Sequence, residues 1–319
     1  MRCALLLLVG CGTSSPVATG QVGDWAMGPP LPTARANHCS TAVGDWLVVI
    51  GGNREVAGSF VKTDEIHAAK LTNGVLGDWV LAGHTASPVT ECEATSDGTT
   101  LYVVGGIYDT VEDEGQVWSG TFDGTVTLAV MGALPDGALA VSSEAALQDG
   151  ALLVMNTDVA ADATATLKMA GTAWTSTDWG IGFRSQSEFA FGDGAAYTLG
   201  GYHDPAVGAV TDSFVEVAGV TTPTTPLPMP IGWGEASVVD DWMFVVGGRA
   251  STFAADGTTT VIASPIAADG SLGAWQVSTA LPVARTNHDM ALVGDYLVVT
   301  GGAASGPGDD QVMLAQVRY

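Results

Sequence analysis

The phrase Gly74-Val75-Leu76-Gly77-Asp78-Trp79 returns as Gly270-Ser271-Leu272-Gly273-Ala274-Trp275, and Gly20-Gln21-Val22-Gly23-Asp24-Trp25 repeats it near the amino terminus. The chain thus enters its repeat part-way through a unit. A repeat cut at that point implies a closed ring, in which the first strand completes the last unit. Aligned on Gly51-Gly52, Gly105-Gly106, Gly200-Gly201, Gly247-Gly248 and Gly301-Gly302, the residues before each pair read as two apolar strands joined by a short turn. Asn156-Thr157 after Leu152-Leu153-Val154-Met155 supplies a sixth, degenerate copy. Spacings of roughly 45 to 55 residues are the period of propeller blades.

Each copy reads as four strands by alternation and turn residues. The first comprises Asn37 to Val43, Trp46 to Ile50, Ile66 to Leu71 and Trp79 to Leu81. Third strands follow at Val117 to Phe122, Thr166 to Ala170, Phe214 to Ala218, Thr260 to Ala263 and Val312 to Val317. Val312 to Val317 leaves no residues for a fourth strand, and Asp24 to Met27 is surplus, so the ends are expected to pair. Such closure removes the sheet edges that invite aggregation.

Leu281-Pro282-Val283-Ala284-Arg285-Thr286-Asn287-His288 and Val293 to Gly302 resemble a kelch repeat, and Leu31 to Gly52 matches them nearly residue for residue. The resemblance covers almost all of the chain after Gly20. It implies an all-β, six-bladed kelch-type propeller like the central domain of galactose oxidase, over residues 23–319. It implies no single activity, because the fold serves enzymes and binding modules alike.

Thirty-four acidic residues against 10 basic ones give a net charge of -24, a field that repels nucleic acid and anionic membrane surfaces. Met1-Arg2, the apolar run Ala4 to Val9 and then Gly10-Cys11 read as an export signal. Leu8-Val9-Gly10-Cys11 resembles a bacterial lipobox. Residues 1–10 are expected to be a signal peptide and residues 11–22 a lipidated Cys11 with its tether, which places the protein in the bacterial cell envelope. The apolar run is too short to span a bilayer. Cys39 and Cys92 remain, an even pair in an oxidising compartment. With one extra residue assigned to the Ser96-Asp97-Gly98 turn they become equivalent, on the inner strands of adjacent blades, and a disulfide between them is expected.

The other occupants of that column are Glu144, Glu188, Glu235 and Asp289. Two residues upstream stand Asn37, Thr90, Ser142, Gln186, Trp233 and Asn287, and two further upstream Arg35, Arg184 and Arg285. With a strand period of two, these rows share one face. Arg35, Asn37, Arg184, Gln186, Trp233, Arg285 and Asn287 are therefore expected to line the channel mouth, where Arg offers a rigid fork of donors and Trp a stacking face. The same rows suit arginines that merely pair with carboxylates and hold blades in register. The loops after each Gly-Gly, with Tyr108, Asp109, Tyr202, His203, Asp204, Asp309 and Asp310, are weaker candidates. No nucleophile elbow, phosphate loop or His-Glu-x-x-His is present, and no cofactor or metal ligand set is assigned. The expected function is a monomeric module that binds a protein or glycan ligand at one propeller face. The alternative is a carbohydrate-active enzyme resembling sialic acid mutarotases or epimerases, with Glu188 or Glu235 as general base.

Overall fold

A computed structural model of the chain describes residues 19–135, 138, 144–158, 160–203, 208–250, 256–306 and 308–318. The signal segment, Cys11, Ser142 and Asp204 lie outside them.

The fold is an all-β propeller. The described strands gather into six sheets, five of four strands and one of seven. Their innermost strands, which number them, are Cys39–Val43 (sheet I), Glu93–Ser96 (II), Ala145–Gln148 (III), Glu188–Gly192 (IV), Gly232–Val239 (V) and Asp289–Val293 (VI). Inner strands stand side by side about one axis. The apolar second strands, such as Trp46–Ile50 and Tyr296–Thr300, are buried almost throughout, because each sheet is sandwiched between two others. The core accordingly lies at the seams. Ile50 and Val48 pack with Leu101 and Val103 between I and II, while Leu47 and Val49 pack with Val298 and Leu314 between VI and I.

Five sheets meet the expectation of four-stranded units, and sheet I departs from it. The residues after Gly51-Gly52 form a hairpin, Asn53–Val56 against Ser59–Thr72, turned by Ala57 and Gly58 with φ of 52° and 81°. Both left-handed positions match the twist of a two-residue hairpin. The fourth strand also runs far beyond Leu81, over Val80–Thr90, where Val89 and Thr90 recruit Ile107–Tyr108 from the loop of sheet II.

Sheet VI is completed by Ala26–Met27, paired antiparallel to Val312–Gln316 through Ala26↔Leu314 and Met27↔Met313. The repeated Trp of the opening phrase has a common task. The Trp25, Trp79 and Trp275 indole N–H groups donate to the carbonyls of Thr279, Pro29 and Thr225, each in the linker entering its own sheet. The double glycines have another. A Cβ on Gly51 would stand 2.6 Å from the Val89 carbonyl oxygen, and one on Gly301 2.6 Å from that of Arg35. Only a bare backbone admits the neighbouring chain this closely. The second glycine then latches the seam, with Gly52, Gly201, Gly248 and Gly302 N–H donating to Val89, Ile231, Arg285 and Arg35 carbonyls.

Candidate functional site

Strand pairing revises the columns read from the sequence. Cys39 pairs with Ile50, Glu188 with Leu199, Glu235 with Val246 and Asp289 with Thr300, each directly before a double glycine. In sheet II the residue in that place is Glu93, opposite Val104. The Ser96-Asp97-Gly98 turn holds no extra residue, because Ser96 pairs with Leu101 as Ala42 pairs with Leu47. Cys92 therefore belongs one position earlier, with His38, Ser187, Gly234 and His288. The inner ring is Cys39, Glu93, Glu144, Glu188, Glu235 and Asp289, with five acids and one cysteine.

Above it runs a collar of backbone hydrogen bonds. Glu91 N–H donates to Asn37, Asn37 to Asn287, Asn287 to Trp233 and Trp233 to Gln186, over 2.8 to 3.2 Å. All five residues are left-handed, with φ of 50° to 64°. Asn accepts this conformation readily. Trp233 is a bulky exception, which marks a position held by its surroundings. Glu91, and not Thr90, takes the place of Asn37; the Thr90 hydroxyl donates to the Asn37 carbonyl from beside the collar.

The collar overturns part of the proposed mouth. A left-handed residue breaks the pleat, so alternation does not carry past it to the arginines. Arg35, Arg184 and Arg285 are 1%, 2% and 0% exposed and turn toward the third strand of their own sheets. Arg35 donates to the Gly51 carbonyl at 2.8 Å and lies 3.6 Å from Glu65; Arg184 meets Asp212 at 2.6 Å; Arg285 meets Asp309 at 3.0 Å and the Gln311 side chain at 2.6 Å. None lines the axial cavity. Asn37, Gln186, Trp233 and Asn287 do, together with Glu91, Glu93, Glu144, Glu235 and Asp289, around a space of about 90 Å³.

Sequence reasoning missed Arg249, directly after Gly247-Gly248. Its guanidinium lies 5.3 Å from the Trp233 ring centroid and donates to the Thr286 hydroxyl at 3.0 Å and to Asn287 Oδ1 at 2.7 Å. Asn287 Nδ2 passes the chain on to Asn37 Oδ1 at 2.8 Å. No repeat column marks Arg249, since only sheet V carries Arg at that place.

Cys39 and Cys92 form a disulfide with Cα atoms 5.5 Å apart. Glu188, 1% exposed, points away from the cavity, and its Oε1 accepts from Gly234 N–H at 2.9 Å. Burial pushes its carboxyl up to about 8, against the pull of that N–H. Asp289 is pushed up to about 7 by burial, against hydrogen bonds from Ser40 N–H and Oγ. Burial, then the Asp289 charge, holds both Glu144 and Glu235 well above the usual carboxylate range. Burial depresses His288 to about 3 and His38 well below its ordinary value. Among the described residues, no group of three His, Cys, Asp or Glu could hold a metal ion.

No protein-family model matches the chain, and no curated protein matches it. Among solved structures it is similar to YjhT, with 12% identity, a TM-score of 0.68, and coverage of 92% of this chain and 99% of that one. At that identity the likeness defines the class of fold, a β-propeller, and nothing finer. The same likeness extends to 472 solved chains, so the fold alone selects no activity.

Proposed function

We propose that this chain is an exported, lipid-anchored kelch-type propeller of the bacterial cell envelope that binds a ligand at its axial mouth. The seven-stranded sheet I counts as its sixth blade, enlarged by two loops, and residues 23–319 form the ring. Cys11 carries the lipid and residues 11–22 the tether. The observation that carries the binding reading is the cavity itself, whose lining includes Asn37, Gln186, Trp233 and Asn287, with Arg249 over the Trp233 ring. Polar donors and acceptors converging beside an indole face are the ordinary equipment of a recognition site.

The experiment is a peptide and glycan array screen of the full chain, repeated with Trp233→Ala. A ligand whose binding falls about tenfold or more in the variant supports the mouth as the site, that loss being the size of an aromatic hot spot. Equal binding removes it. Fractionation of expressing cells with and without Cys11→Ser tests the anchor, and membrane association that survives the substitution overturns it.

A second reading, a mutarotase- or epimerase-like enzyme with Glu188 or Glu235 as general base, draws on carboxyls of raised pKa around a cavity. It fits less well. Glu188 faces Gly234, burial disfavours the ionised Glu235 that a general base needs, and the three arginines expected at the mouth are spent on Glu65, Asp212 and Asp309. Anomer interconversion of a sugar acid above the spontaneous rate, lost in Glu235→Gln, would lift this reading over binding.

A further inference from the structure

The outer edges of the six sheets are guarded unequally. An open edge offers unpaired N–H and C=O groups to any extended chain, and folds blunt it by shortness, proline, charge or cover. Sheets V and VI end in the two-residue strands Gln276–Val277 and Ala26–Met27. Sheet IV ends in Val220–Pro223 with its proline, and sheet III in Ala173–Asp178, polar from Thr175 to Asp178. The outer strand of sheet I holds Pro88 and is covered at one end by Ile107–Tyr108. Sheet II ends in Ala129–Ala133, five residues without charge, hydroxyl or proline, of which Val130 is 55% and Met131 42% exposed. Its ladder has one irregularity. Val117 pairs with Gly132 and Trp118 with Val130, so Met131 is the extra residue of a bulge, a device that re-aims a side chain.

Two further observations say what this edge would pair with. A groove of about 350 Å³ lies beside its start, between sheets I and II, lined by Gly83, His84, Ala86, Trp118, Val126 and Leu128. A space of about 150 Å³ takes one benzene, so the groove has room for an aromatic side chain. A strand added to sheet II would send alternate side chains toward sheet I, over this groove. The other observation is charge. Between Lys70 and Lys168 the sequence contains no Lys or Arg, so every charged side chain of sheet II and its loops is acidic. Asp123 lies in the turn before the edge. Glu112, Asp113 and Glu114 precede Gly115, whose carbonyl accepts from Leu134 N–H at 2.7 Å, just past the other end. The edge is thus an apolar strand bracketed by acids. A second copy of this chain does not complement it, since antiparallel pairing of two such edges would set acid against acid at both ends.

We propose that sheet II takes a protein partner by strand addition: an extended segment, apolar in the middle and carrying Lys or Arg at both ends, pairs along Ala129–Ala133 and lays an aromatic side chain in the Trp118 groove. Main-chain hydrogen bonds supply the affinity in such pairing, and the pocket for an alternate side chain supplies the choice of sequence. The basic ends meet Asp123 on one side and Glu112 to Glu114 on the other. The net charge of -24 favours the approach of such a segment. This site is separate from the axial mouth and does not depend on it.

The test uses the full chain and the probe acetyl-Lys-Lys-Thr-Val-Phe-Val-Thr-Lys-Lys-amide, titrated by calorimetry and followed by hydrogen exchange. Saturable one-to-one binding is expected, with exchange slowed over residues 128–134. Affinity should fall about tenfold or more when alternate peptide nitrogens are methylated, when alanine replaces the phenylalanine, or when glutamate replaces the lysines. Val130→Lys, which sets a charge on the edge, abolishes binding, whereas Val277→Lys on the outer strand of sheet V retains it. If Val130→Lys melts early, Met131→Pro serves in its place, because a bulge admits proline. Equal binding of the methylated, alanine or glutamate peptide, equal loss in Val277→Lys, or no binding of the parent peptide overturns the inference. A concentration-dependent dimer that Val130→Lys dissolves, with the peptide unbound, also overturns it by giving the edge to a second copy. None of these outcomes bears on the axial mouth, which the Trp233→Ala arrays test.

Discussion

The seam between sheets I and II and the seam between sheets IV and V close one gap with different chemistry. In each, a side chain on the inner-strand residue that pairs with the one before the double glycine crosses to the residue that precedes its counterpart on the next sheet. At I and II the crossing is the Cys39–Cys92 disulfide. At IV and V it is a carboxyl hydrogen bond, Glu188 to Gly234 N–H. The covalent seam neither titrates nor leaves a polar atom behind. The carboxyl seam does both, because Glu188 is buried and its Oε2 has no hydrogen-bond partner. A repeat architecture thus fixes where neighbours touch and leaves each seam free to choose how.

The largest expected effect breaks the covalent seam. Cys39→Ser with Cys92→Ser removes a cross-link between residues 53 apart, which the chain-entropy account values at about 4 kcal/mol. Denaturant unfolding of the variant and of the parent, each with and without reductant, measures it. A loss below about 1 kcal/mol would mean that packing between Ile50 and Leu101 holds the seam unaided. The carboxyl seam comes second. Glu188→Ala leaves Gly234 N–H unpaired and a hollow where the side chain stood, about 3 kcal/mol in all. Glu188→Gln keeps an acceptor for that N–H and is expected to cost about 1 kcal/mol or less at neutral pH, where the native carboxyl is itself uncharged.

Acidity separates the two seams further. Glu188 and Asp289 have native values of about 8 and about 7, above the roughly 4 of unfolded carboxyls, so the folded state binds more protons between those limits. Their contribution is complete below the unfolded value and is lost as pH rises through the native one. His288 acts oppositely: its native value of about 3 lies below the roughly 6.5 of unfolded histidine, so its contribution grows with pH up to that point. From about pH 6.5 to 8 only the carboxyl part remains, and stability is expected to fall by about 2 kcal/mol through Glu188. Melting temperatures across that interval check this. The fall should shrink in Glu188→Gln and persist in the cysteine double variant, and an unchanged slope in Glu188→Gln would put the titration elsewhere.

The ring was legible in the sequence because it rests on features with local signatures. Gly-Gly pairs sit where a Cβ would strike the neighbouring chain, and the recurring Trp caps a linker carbonyl. What failed did so at one kind of place. Asn37, Glu91, Gln186, Trp233 and Asn287 are left-handed, and nothing in Gln186, Glu91 or Trp233 as residue types announces it. Period-two reasoning ran through that kink and put Arg35, Arg184 and Arg285 on the wrong face. Cys92 was misplaced by one residue for a related reason: composition could not tell which of two adjacent residues, Cys92 or Glu93, stands opposite Val104, and only the hydrogen-bond register decides. Arg249 escaped because it belongs to no column.

The finest test asks whether the two seams are interchangeable. If Glu188 and Gly234 hold the places of Cys39 and Cys92, then Glu188→Cys with Gly234→Cys should oxidise spontaneously to a second disulfide across IV and V. A Cβ on Gly234 would stand 3.0 Å from the Val246 carbonyl oxygen and 3.2 Å from Gly248 Cα, so the backbone must yield by a few tenths of an ångström. A third close contact, Glu188 Oε1 at 3.1 Å, is removed by the partner substitution. Closing a loop between residues 46 apart would contribute about 4 kcal/mol in the ideal case. The squeeze at Val246 and the lost carboxyl bond should consume most of it, leaving a net gain of about 1 kcal/mol. Thiol titration and non-reducing mass spectrometry report whether the bond forms, and the pH dependence between 6.5 and 8 should weaken with it, since the titrating group is gone. Two free thiols in an oxidised, folded variant would show that the seams share a column but not a geometry.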